Sequence, residues 1–384
     1  MFAQILSLIC ANIMRIYRVF NIKLMWQLTK TDTSVIFNLR KRLPWAMTKA
    51  TISIKKIAEL AGVSYPTVSR ALRNEGRIGE ETRKRIVTIA REHGYTPNLT
   101  ARGLVSKRSG ALGLVVTRFS DPFHSDIAQK VEIEANRRGY SLFIASNETQ
   151  DKERELEIVR SFQGRNVEGI IVSSGREGPR YSQLFRETNI PIVTVNSHAA
   201  DHIGHSVCHD DYGGGCAIVQ HLIKKGYQNI IYLGNGSADK AQSDRLQAWR
   251  DVLKQNSLVP AIHIDSPEGR VQDGAAATEQ LLSQHSAKLR NVRSAIWCFN
   301  DAMALGALSV LHRYGFAIPT DIGVAGFDDI DSAAFAIPAL TTWHQPRQEM
   351  AAVAAQMLFG LIETPGSPPA DFVMPGWLVV RHST

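Results

Sequence analysis

The chain lacks most of the motifs on which a catalytic assignment would rest. Its 384 residues hold four cysteines, Cys10, Cys208, Cys216 and Cys298, with no C-x-x-C spacing among them. So few and so scattered, they exclude a disulfide-stapled secreted domain and fit a reducing cytoplasm. No glycine-rich loop precedes a Lys-Ser or Lys-Thr pair, no GxSxG occurs, and the GGG at residues 213–215 lacks dinucleotide spacing. Phosphate-cradling and nucleophile-elbow chemistry therefore have no sequence basis. His202, His205, Cys208 and His209 fall within HIGHSVCHDD, but that stretch leads into a strand, where alternate residues point apart. No metal site and no cofactor are expected.

A membrane span is also missing. The apolar FAQILSLICANIM is followed by Arg15, Arg18 and Lys23, whereas a spanning helix needs about 20 apolar residues without interruption. A signal peptide would carry its positive charge before the apolar run, not after it. Met47 is followed by the polar TKATISIKK, so translation is expected to begin there. Residues 1–46 are then a non-native upstream extension, with a weakly membrane-associating amphipathic arm as the rival reading.

What the chain does have is an uneven charge and a 44% apolar content, enough for two or three cored domains. Residues 52–109 hold 12 basic and 5 acidic groups, net +7, and residues 110–384 hold 24 and 30, net −6. The first 51 residues add 8 and 1, net +7, for a total of +8. A basic head on an acidic body points to a polyanion bound at one end.

That head contains IKKIAELAGVSYPTVSRALR, residues 54–73. Ile57, Ala58 and Ala61 recur at helical spacing, Gly62 stops the first helix, and Ser64 caps a second. Val68, Ala71 and Leu72 face inward, leaving Tyr65, Pro66, Thr67, Ser69, Arg70 and Arg73 outward. Hydroxyls, an aromatic ring and arginines on one exposed helical face suit a major groove; an ordinary helical hairpin is the bland alternative. A third helix is expected over 79–93, with Ile86, Ile89 and Ala90 inward. Beyond it, Asn98 can cap a short helix through Ala101 and Leu104, too short to be stable alone. Two such segments side by side on DNA could order each other and push Leu104 into a minor groove.

From Ala111 the pattern alternates short apolar strands with amphipathic helices. Strands are expected at 112–117, 141–146, 169–174, 192–196, 229–234, 294–299 and 323–327. Helices fit at 126–139, 151–164, 214–226, 243–256, 301–314 and 346–362. This alternation predicts an α/β body with doubly wound parallel sheets in two lobes. Ligands of such sheets bind beyond the carboxyl ends of the strands. Asn300 and Asp301 follow one strand and open a helix, so Asp301 is either a cap or a ligand contact. Asp328 ends GVAGF, and one carboxylate can accept from two neighbouring hydroxyls.

These pieces together resemble the lactose-repressor/galactose-repressor (LacI/GalR) family of bacterial transcription regulators. IAELAGVSYPTVSRAL is similar to the family's DNA-reading helices and GYTPNLTARGL to its hinge. FNDAMALGAL, GVAGFDDI and LTTWHQP are similar to signatures of its ligand lobes and their crossover. The resemblance implies a three-helix helix-turn-helix head over 52–97, a hinge over 98–109, and a periplasmic-binding-protein-like effector and dimerisation body over 110–384, with crossovers near 207 and 341. By position, Ser64, Tyr65, Pro66, Thr67, Ser69 and Arg70 would contact DNA, with Tyr65, Pro66 and Arg70 reading bases. Asn98, Arg102 and Leu104 would belong to the hinge.

For the effector the resemblance implies Asp121 and Phe123 after the first strand, Arg245, Asn300, Asp301 and Asp328, and at the effector site after the fourth strand this chain has Asn196 where relatives often have an acidic residue. Phe123 could instead serve only lobe packing, and Arg245 a surface salt bridge. No Trp, Tyr or Phe lies between Pro260 and Trp297, where some sugar-binding members place an aromatic platform, so Arg270 could read an acidic or phosphorylated effector. The implied protein is a repressor, not an enzyme. It would act as a homodimer or homotetramer on double-stranded operator DNA in the cytoplasm, at the nucleoid. Its trigger would be a sugar, sugar phosphate or related metabolite, with no membrane partner. A transport-type binding protein and an α/β sugar enzyme are the competing readings.

Overall fold

Residues 52–95, 108–148, 152–173, 190–196, 204–237, 239–260 and 262–384 are described by a computed structural model. The expectations for residues 1–46, Asn98, Arg102, Leu104 and His202 lie outside them. The chain divides into two units at residue 98.

The first unit is built on α1 (Ile54–Ala61), α2 (Tyr65–Leu72) and α3 (Glu80–Glu92). Ser53 and Ser64 cap α1 and α2 by accepting from the amides of Lys56 and Thr67. Gly62 ends α1 at φ +62°, a left-handed conformation that glycine adopts without a Cβ clash. Ile57, Val68 and Ile86, one from each helix, are fully buried at 0% exposure and close a small core. Arg83 of α3 donates to the carbonyls of Ala71 and Gly76, each at 3.3 Å, which fixes the loop after α2. Leu72, expected inside, is only partly buried.

In the second unit, six strands form a wholly parallel sheet: β1 (Ala111–Val116), β2 (Ser141–Ser146), β3 (Gly169–Ser173), β4 (Ile192–Val195), β5 (His205–His209) and β11 (Asp371–Met374). Their order is β11-β5-β4-β3-β1-β2. Helices α4 (Pro122–Arg137) and α11 (Arg347–Glu363) cover one face and α5 (Lys152–Gly164) the other. A second parallel sheet, of order β7-β6-β8-β9, uses β6 (Asn229–Gly234), β7 (His263–Asp265), β8 (Ser294–Cys298) and β9 (Ile322–Ala325). It is flanked by α6 (Asp211–Lys224) with α7 (Lys240–Gln255), and by α8 (Val271–Asn291) with α9 (Asp301–Arg313). Helices on both faces bury the central strands completely, as the unbroken apolar runs require.

The chain passes between lobes three times. It leaves the first lobe after β5 and returns through β10 (Thr342–His344) into α11. It crosses again after β11 to β12 (Trp377–Val379), which pairs antiparallel with β10. The resemblance implies passages near 207 and 341, and nothing in the sequence points to the third. GGG at 213–215 turns out to serve packing here: a Cβ on Gly214 would lie 2.8 Å from the Trp343 indole nitrogen and 2.9 Å from the Phe327 ring. Within HIGHSVCHDD, His205–His209 are themselves the strand β5, followed at once by α6, rather than a lead-in to a strand. His205 and His209 are thus about 13 Å apart along β5. No helix among the described residues is long and apolar enough to cross a membrane.

Candidate functional site

Between the lobes, at the carboxyl ends of β1, β4, β6, β8 and β9, lies a cleft of about 640 Å³ of atom-free space, part of it open to solvent. Six of the seven residues expected at the effector site line it: Asp121, Phe123, Asn196, Arg245, Asn300 and Asp328. Asp301 does not. It is 0% exposed behind the cleft, accepting from the Thr342 hydroxyl at 2.6 Å and the Ile330 amide at 2.9 Å. Burial raises its carboxyl to about 7. A carboxyl whose folded pKa is raised contributes stability that is present below the unfolded value, about 4, and is lost as pH rises through about 7. Asp301→Asn should therefore flatten the difference in unfolding free energy between pH 4 and 7, read by urea melts of variant against wild type. An unchanged pH slope would contradict the assignment.

Asp328 is the deepest carboxylate of the cleft. One of its oxygens accepts from the Gln345 amide at 2.6 Å. Burial pushes its carboxyl well above the usual range, an effect that Arg245 opposes and Asp301 and Asp121 reinforce. Its backbone φ is +116°, and that of Asp329 is +56°, strained values for residues with a Cβ, costing on the order of 1–3 kcal/mol each. The side-chain oxygen of Gln345 is buried without a hydrogen-bond partner. Gln345 lines the cleft, and a ligand donor that reached this oxygen would recover an unmade buried hydrogen bond, which costs about 1–3 kcal/mol.

Arg245 is neither a surface pair nor a free fork. Its guanidinium lies 3.7 Å from the centre of the Phe327 ring and 4.4 Å from that of Phe299. Two of its nitrogens reach Asp211, at 2.8 and 2.7 Å, and a third donates to the Phe299 carbonyl at 2.6 Å. Asp211 is buried, which would raise its carboxyl, but the adjoining His209 and Arg245 hold it well below the usual range. Nη2, one of the two nitrogens on Asp211, also lies 4.0 Å from an Asp328 carboxylate oxygen. Asn300 is similarly engaged, accepting from the Met303 amide and donating to the Gly269 carbonyl, both at 2.9 Å. Asp121 caps α4 through the Phe123 amide at 3.0 Å. Phe123 packs edge-on against His124, whose imidazole is pushed down by burial and bonds the Ser173 hydroxyl at 3.0 Å.

Sequence reasoning missed Arg118, Asn235, Asp239, Glu268 and Gln345 in the lining. Asn235 and Arg118 follow β6 and β1, so the strand-end rule could have found them. Glu268 and Gln345 follow β7 and β10, three-residue strands that the sequence pattern does not show. Arg118 meets Glu268 across the cleft mouth at 3.5 Å. Arg270 is not in the lining but pairs with Glu268. Among the lining side chains, four carboxylates face two guanidinium groups, so the cleft favours a neutral ligand over an anionic one.

In the first unit, Ser64, Tyr65, Pro66 and Arg70 are exposed and Thr67 and Ser69 partly so. Tyr65 is 48% exposed, and the Ser64 and Thr67 hydroxyls bond each other at 2.8 Å. All six occupy the start and outer surface of α2.

Residues 53–98 match the family described as bacterial regulatory proteins, lacI family, and residues 219–384 match a periplasmic binding protein-like domain. A probable HTH-type transcriptional repressor, ExuR of Bacillus subtilis (strain 168), is 32% identical over 86% of this chain and 98% of its own length. The lac repressor dimer solved with operator and the anti-inducer ONPF superposes with a TM-score of 0.79 at 25% identity, covering 87% of this chain and 99% of that one. The complex of the transcriptional regulator CelR with cellobiose superposes at 0.64 with 27% identity, covering 87% and 100%. The chain belongs to the lacI family of bacterial regulatory proteins: it is an effector-modulated, DNA-binding transcriptional regulator and not an enzyme.

Proposed function

We propose that this regulator is a cytoplasmic repressor, at the nucleoid, that reads operator DNA through Tyr65, Pro66 and Arg70 and responds to a neutral, hydroxyl-rich sugar held by Asp328 and Gln345. Residues 52–97 form the reading head, 98–109 the hinge with Asn98, Arg102 and Leu104, and 110–384 the effector and dimerisation body. The unpartnered Gln345 oxygen beside the Asp328 carboxylate is the observation that carries the effector class: both accept, and sugar hydroxyls donate. Phe123 and Phe299 supply apolar walls. The complexes of the lac repressor with operator and of CelR with cellobiose support the same division of labour. A thermal-shift panel of neutral sugars, uronates and sugar phosphates tests the class. Stabilisation by sugar phosphates alone would overturn it.

For base reading, Arg70→Ala should lower discrimination between operator and random duplex by about 10- to 100-fold, the worth of roughly 1–3 kcal/mol for a bidentate arginine on a base edge. Anisotropy titrations of labelled duplexes measure this, and unchanged discrimination would remove Arg70 from the reading face. Two heads per operator require two chains. We assign the contact between copies to the surface around Phe335 and Ile337, which are 84% and 93% exposed.

A further inference from the structure

The return passage from the second lobe to the first carries one side chain that touches both walls of the cleft. Arg347 opens α11 and is buried. Its guanidinium donates to the carbonyl of Asp328, and to that of Asp329 at 3.1 Å. Its Nε and Nη2 also reach one Asp126 oxygen, at 3.0 Å each. Asp126 lies one turn into α4, the helix that Asp121 caps and whose first turn presents Phe123 to the cleft. The two carbonyls belong to the residues with φ +116° and +56°, a backbone that persists only when its surroundings over-determine it. No lysine could replace this side chain, because a point charge cannot serve a planar set of three acceptors.

We infer that Arg347 is a positioning residue that holds the acidic turn Asp328–Asp329 in its strained form and registers it against α4, so that a change at either wall of the cleft is felt at the other. The functional weight of this link rests on the cleft being the effector site. Its physical content, coupling of the two walls, is measurable without any effector. The same guanidinium satisfies a carboxylate in one lobe and two carbonyls in the other, so releasing one end frees the other to rearrange.

Hydrogen exchange on the full-length protein, read by mass spectrometry without added ligand, tests it with Asp126→Asn, Arg347→Lys and the double variant. The amides of Asp328, Asp329 and Ile330 are each bonded, to the Trp343 carbonyl, the Thr342 hydroxyl and the Asp301 carboxylate, so their protection reports the turn. Asp126→Asn should speed exchange over residues 326–332 by about fivefold, the effect of weakening one charge-assisted bond, although Asp126 touches none of those amides. Arg347→Lys should speed exchange both there and in the first turn of α4, and the double variant should be no faster than Arg347→Lys alone. Faster exchange confined to α4 in Asp126→Asn, or additive effects of the two substitutions, would overturn the inference. If the walls are uncoupled while neutral sugars still stabilise the wild type, the link fails and the effector reading stands. If no sugar binds while the walls are coupled, the reverse holds.

Discussion

Asp328→Asn is expected to leave operator binding intact and to weaken the effector about 100-fold, abolishing release of DNA at concentrations that saturate the wild type. The substitution keeps the side chain's volume, and the Gln345 amide, which donates to Asp328 at 2.6 Å, still finds an oxygen. What disappears is a carboxylate able to accept from two neighbouring hydroxyls. Hydrogen bonds to charged groups contribute about 1.5–3 kcal/mol each, and a 100-fold change corresponds to roughly 2.7 kcal/mol. Because burial raises the Asp328 carboxyl, two pH dependences of opposite sign follow. The free protein loses stability as pH rises through the folded pKa, since the protonated form is the one burial favours. Effector affinity instead rises over that range, because only the ionised form accepts twice. The affinity slope should vanish in Asp328→Asn, and the stability slope should shrink to the part that the raised Asp301 carboxyl contributes. Calorimetric titration with the sugar found in the thermal panel, beside anisotropy on labelled operator, measures all of this. Retention of full affinity by the variant would remove Asp328 from the site.

How far the site was legible follows from where its residues sit in the chain. Strands 141–146 and 229–234 coincide with β2 and β6, because strands of parallel sheets are written as uninterrupted apolar runs. The three-residue β7, β10 and β12 are too short to show a period. The edge strand β11 pairs with β5, its Asp371 accepting from the Ser206 hydroxyl across 165 positions of sequence. Asn196, Asn300 and Asp328 were visible because they end strands. Gln345 and Glu268 were not, because the strands they follow, β10 and β7, are three residues long and show no period. Arg245 was recognised as a fork but not as a buried one. Its partner Asp211 stands 34 residues earlier with no pattern joining them, and only the packing of α6 on α7 brings the two together. Asp301 shows the converse: its position after β8 suits a ligand contact equally well, and only three-dimensional packing turns its side chain toward Thr342 and Ile330.

Phe335→Asp combined with Ile337→Asp is expected to convert the proposed dimer into monomers and to cost about 10²- to 10⁴-fold in operator affinity, the advantage that linking two half-site contacts confers. Ala333 is buried at 0% exposure and anchors the short helix α10 (Asp331–Phe335), while Phe335 and Ile337 stand out from the surface. Two large apolar side chains so exposed and so near each other are what a contact surface presents, and the lac repressor, which this chain resembles over 87% of its length, was solved as a dimer on operator. Neither side chain belongs to the body's core, so removing both should leave the melting temperature of a monomeric body nearly unchanged. Two carboxylates facing their symmetry mates across an apolar contact would have to be desolvated for the dimer to form. Light scattering after size exclusion reads the mass, and anisotropy reads the operator. A dimeric double variant would move the interface elsewhere. A monomer that still binds the effector normally, but holds operator no better than a single head should, would separate the two tasks: the cleft works within one chain, and recognition of the palindrome requires two.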